Sequence, residues 1–104
     1  MIEKVYSIST GDDQTVERVV MDENVNYIHM VFKKDGGLPE HMSNSTLYMT
    51  VVRGMLSIGL DDQDIHDYPA GTLLKIPVDI KMNVRNIHEE VLELIIVKAP
   101  APGK

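Results

Sequence analysis

The chain has no cysteine and no tryptophan, a single phenylalanine and only 5% aromatic residues. Without cysteine there is neither a disulfide framework nor a thiol nucleophile, a composition that fits a reducing compartment. No apolar run approaches the roughly 18 residues of a membrane span, and Met1–Tyr6 lacks the apolar core of a secretory signal. The cytoplasm is therefore the expected location. Basic residues are also scarce, Lys and Arg numbering 10 against 16 Asp and Glu for a net charge of −6. That balance excludes the broad cationic surface that nucleic acid or an anionic membrane requires. Helical signals are missing too, since no segment sustains a 3.6-residue apolar period between caps.

What remains is a strand pattern. The 104 residues make one domain with an ordinary hydrophobic content of 43%. Val25–Phe32 is rich in β-formers and stops at Asp35-Gly36-Gly37, a turn signal. Thr46–Val52 follows, closed by Arg53-Gly54, and then Met55–Leu60. The cluster from Asp61 to Asp64 and the run Pro69-Ala70-Gly71 read as turns. Thr72–Ile76 runs into Pro77, and Ile80–Arg85 alternates with Ile80, Met82 and Val84 on one face. In Val91–Val97 the short length and β-branching favour a strand over a buried helix, with Leu92, Leu94 and Ile96 together. With Val16–Met21, about eight short strands at regular spacing predict an all-β sandwich or small barrel. The tail 99–104 is expected to fray.

Two runs of residues carry a resemblance to a known family. The first has Asp35, His41, Ser43, Leu47 and Gly54 in place of glycine, His-x-His, glutamate and glycine. The second has Gly71, Pro77, Asp79, Met82 and Asn86 in place of glycine, Pro-x-Gly, histidine and asparagine. Sixteen residues separate Gly54 from Gly71. In this layout the chain resembles the cupin superfamily in its short single-domain form, over roughly residues 25–98. The resemblance implies a double-stranded β-helix, or jelly-roll barrel. The turn and strand-end positions Gly54, Gly71, Pro77 and Asn86 match, while aspartate, the next most tolerant residue for positive φ, replaces glycine at 35 and 79. Of the four metal-ligand positions only His41 matches, and one imidazole falls short of the three or so protein ligands of a working centre.

The expectation is therefore a barrel with no cofactor and without a standard metal centre. Its interior would bind a small, partly apolar molecule against His41, Ser43, Leu47, Met49, Met82 and Val84. One alternative is a metal-dependent enzyme of oxygenase or isomerase type with atypical ligands, for which the sharpest version is a Cu(I) site of His41, Met82 and a further methionine. Another makes His41 a hydrogen-bonded core residue under a filled barrel, and a third makes the protein a structural or regulatory partner acting through its surface. Methionine otherwise serves as filler of irregular cores. Placing Ile28, Met30 and Phe32 inward puts His29 on the outside, and His66 and His88 read as surface residues beside turns. Small cupins are commonly homodimers, so the resemblance implies a homodimer here, with Lys4–Ile8 and Val16–Met21 as the pairing segments.

Overall fold

The computed structural model describes residues 1–103, and among these it has nine strands and no helix. They are β1 (Thr15–Met21), β2 (Asn26–Lys33), β3 (His41–Met42), β4 (Leu47–Arg53), β5 (Met55–Leu60), β6 (His66–Pro69), β7 (Leu73–Ile76), β8 (Lys81–Arg85) and β9 (Val91–Lys98). One sheet runs β1-β2-β9-β4-β7 and the other β3-β8-β5-β6. Every strand pair is antiparallel. The fold is all-β, as the strand pattern predicts.

The two-residue period decides which side chains meet between the sheets. On β2 they are Ile28, Met30 and Phe32, on β4 Leu47, Met49 and Val51, and on β9 Leu92, Leu94 and Ile96. Register joins them into rows: Ile28 lies opposite Ile96, which lies opposite Met49. Met82, Val84, Leu56 and Ile58 close the core from the shorter sheet. Each such side chain contributes about 1.5–3 kcal/mol when fully buried. A one-residue slip would turn a whole row to solvent, so register is strongly specified.

Turn chemistry follows the sequence closely. Asp35, Asp61 and Asp79 take φ of 69°, 48° and 66°. Gly54 takes φ 87°, and a Cβ there would stand 2.3 Å from the Val91 carbonyl oxygen. Only glycine fits that position. Asn86 is fully buried, its Nδ2 donating to the Phe32 and Glu89 carbonyls, so it ties the end of β8 to β2.

Two features differ from the sequence expectation. β6 exists because His66–Pro69 pairs with Met55–Ile58, although it carries no apolar alternation of its own. Residues 99–102 are held rather than frayed: Ala99 N–H donates to Thr46 O and Ala101 N–H to Asn24 O, Ser45 Oγ donates to Pro100 O, and Ala101 is buried. Position 104 lies outside the described residues. Lys4–Ile8 forms no strand within the chain, which leaves its expected pairing across a two-fold axis untested, and Met1, Ile2, Val5 and Tyr6 of the N-terminal segment are exposed.

Candidate ligand cavity

Between the sheets lies a cavity of about 590 Å³. Its walls are inward-facing positions: Val16, Arg18 and Met21 of β1, Asn26, Ile28 and Met30 of β2, Leu47 and Met49 of β4, and Ile96 and Lys98 of β9. The shorter sheet adds His41, Met82 and Val84, while Leu38, Pro39, Asn44 and Pro102 complete the lining. Five of the six residues singled out from the sequence, His41, Leu47, Met49, Met82 and Val84, thus line one space.

Ser43 does not. Its Oγ donates to Pro77 O at 2.7 Å and accepts from Ile80 N–H at 2.8 Å, while its backbone N–H bonds Ile80 O and its carbonyl accepts from Asp79 N–H. The hydroxyl is spent on the tight turn around Asp79, so Ser43 belongs to the scaffold. His41 is no core histidine either, being exposed at the start of β3. Its ring donates Nδ1–H to Pro39 O at 2.9 Å, which in the neutral ring leaves Nε2 as the acceptor.

The metal positions of the resemblance can be tested on this geometry. Met82 faces His41 across the β3–β8 pair, Leu47 is apolar, and Ser43 is committed to a turn. No group of three His, Cys, Asp or Glu able to hold an ion occurs among the described residues. The donors present do not fit a first-row metal centre.

The most connected polar cluster lies on the opposite face of the longer sheet. His29 points away from the cavity, as its alternation requires, yet it is fully buried rather than at the surface. Its Nδ1 lies 2.6 Å from Glu17 Oε1 and its Nε2 2.6 Å from Glu93 Oε2. Glu93 Oε1 accepts from Arg53 Nε at 2.6 Å, and Arg53 reaches Asp12 and Gly11 O. Ser9 donates to Glu17 through N–H and Oγ. The N-terminal segment therefore ties down over His29. Both ring nitrogens face carboxylates, an arrangement that favours the imidazolium, which can donate to both. Burial opposes that charge, but the hydrogen bonds and charges of Glu17 and Glu93 outweigh it and raise the His29 pKa. Glu93 is pushed up by burial and pulled down further by His29 and Arg53, for a net lowering. A charged glutamate inside the apolar run Val91–Val97 was the sequence signal that a buried partner had to exist.

No family model matches the chain. An uncharacterised protein of Methanocaldococcus jannaschii is 36% identical over 105 residues, spanning 100% of this chain and 90% of its own length. A crystal structure of an RmlC-like cupin family protein with a double-stranded β-helix fold, from the same organism, superposes with a TM-score of 0.95 at 36% identity, covering 98% of this chain and 94% of that one. The chain belongs to the cupin family. A cupin superfamily protein of Desulfitobacterium hafniense shares the fold at TM-score 0.76 and 14% identity, over 88% and 83% of the two chains. Bacillus subtilis oxalate decarboxylase, described with Mn(II) centres, shares it at TM-score 0.69 and 19% identity, over 79% of this chain and 22% of that one. These two likenesses concern the fold alone.

Proposed function

We propose that this cupin binds a small, partly apolar molecule in the cavity between its sheets, and does so without a standard metal centre. The observation that carries the reading is the cavity itself, about 590 Å³ with mostly apolar walls, of the size and make-up common to small-molecule sites. Ile28, Met30, Leu47, Met49, Met82 and Ile96 would hold the hydrocarbon part, and methionine adapts readily to irregular shapes. The free Nε2 of His41 would accept a hydrogen bond from a ligand hydroxyl or N–H.

A thermal-shift screen of small amphipathic molecules tests this reading. A ligand at a hundred times its Kd stabilises by about 2.7 kcal/mol, a shift of several degrees for a domain of this size. Val16 is partly exposed on edge strand β1 and lines the cavity, so Val16→Trp should fill the space and abolish the shift. Shifts that survive Val16→Trp would place binding elsewhere. Elemental analysis of protein purified without chelators or a histidine tag is expected to find less than one metal per chain; one equivalent lost on His41→Ala would restore the metal-enzyme reading.

We also propose that two copies pair through the N-terminal arm. Met1, Ile2, Val5 and Tyr6 of the arm are exposed, and so are Val16 and Met21 of the edge strand β1; unpaired edges invite such pairing.

A further inference from the structure

Resting on the cavity reading above, we infer that the ligand is an organic acid whose carboxylate sits among Arg18, Asn26 and Lys98 while its hydrocarbon part runs inward. Those three residues bring every strong donor of the longer sheet's cavity face to one end of a mostly apolar space. Lys98 lies directly opposite Asn26 in the β2–β9 pair, and Arg18 lies opposite Ile28, two residues along from Asn26. Although the chain carries a net charge of −6, no aspartate or glutamate lines this cavity. The local sign is thus the reverse of the molecule's.

The donors are also unspent. Arg18 makes no ion pair among the described residues. Lys98 Nζ has one hydrogen bond, to Asn44 Oδ1 at 2.9 Å, out of three that an ammonium can make. Asn26 is only 7% exposed, and its side chain bonds no other described residue. No buried side-chain nitrogen or oxygen among the described residues lacks a partner, so the unpaired Asn26 amide keeps some solvent contact, and the residue lines the cavity. Burial, and after it the positive charge of Arg18, lowers the pKa of Lys98. Two cations that repel each other, with no protein anion between them, are relieved by an anionic guest. A guanidinium fork beside an amide donor matches the two oxygens of a carboxylate.

Isothermal titration with octanoate, octanol, octylammonium and octyl phosphate, at low ionic strength and pH 7, tests the assignment on the full chain. Octanoate should bind about tenfold or more tightly than octanol, and octylammonium should not bind. Arg18→Gln and Lys98→Gln should each weaken octanoate by about tenfold and leave octanol unchanged. Arg18 is exposed on an edge strand, so its variant is expected to fold. Equal binding of acid and alcohol would overturn the carboxylate inference while leaving the cavity reading intact. Octyl phosphate binding tenfold tighter than octanoate would overturn it in favour of a phosphate ester. If neither octanoate nor octanol binds, the cavity reading fails and the inference falls with it.

Discussion

A histidine between two carboxylates sets the energetics of one whole face. Removing the imidazole in His29→Ala would leave Glu93 buried with Arg53 as its remaining partner, and breaking a buried ion pair in this way costs about 3–5 kcal/mol. Chemical denaturation should register a loss of at least about 3 kcal/mol, with far less for His88→Ala, whose ring is exposed beside Asp67. The pH dependence has a definite sign. His29 has its pKa raised above the ordinary 6.5, so its contribution is complete below that value and is lost as pH climbs through the folded-state pKa. Glu17, lowered chiefly by its hydrogen bond to His29, and Glu93 both lie below the ordinary 4.5. Their contributions are complete above 4.5 and are lost as pH falls through the folded-state values. Melting temperatures measured across pH should therefore be highest between about 4.5 and 6.5 and fall on either side. In His29→Ala the alkaline decline should be absent.

Strands and turns were the readable level of this sequence. β2, β4, β5, β8 and β9 stand within a residue or two of their expected spans, because β-branched alternation and turn residues are local signals. β6 was not legible, since only pairing with β5 makes it a strand. Ser43 illustrates the same limit: its spacing from His41 suggested a shared face, but its partners Pro77 and Ile80 lie 34 and 37 residues away. The burial of His29 required Glu17, Glu93 and the N-terminal segment to converge, which no window of sequence displays. At this scale Ser43→Ala should cost about 1–3 kcal/mol by stranding the Ile80 N–H and the Pro77 carbonyl. Octanoate affinity should remain within about twofold, because Ser43 does not line the cavity. Denaturant titration and calorimetry on the same variant check both halves.

The whole molecule divides its chemistry between two faces of one sheet. Outward, charges are paired around the buried His29 beneath the N-terminal segment; inward, apolar walls end in cations without counter-charges. Deleting residues 1–8 should leave the barrel folded, since the stabilising contacts to Glu17 and Arg53 begin at Ser9. Light scattering should then show a dimer reduced to a monomer, whereas a truncated chain that still pairs would place the contact elsewhere. Methionine offers the most direct view of the cavity, because Met21, Met30, Met49 and Met82 line it while Met1, Met42 and Met55 do not. Carbon-13 methyl spectra of the methionine-labelled protein titrated with octanoate should move the first four signals and leave the other three in place. Movement confined to Met1, Met42 or Met55, or no movement at saturating octanoate, would contradict the account.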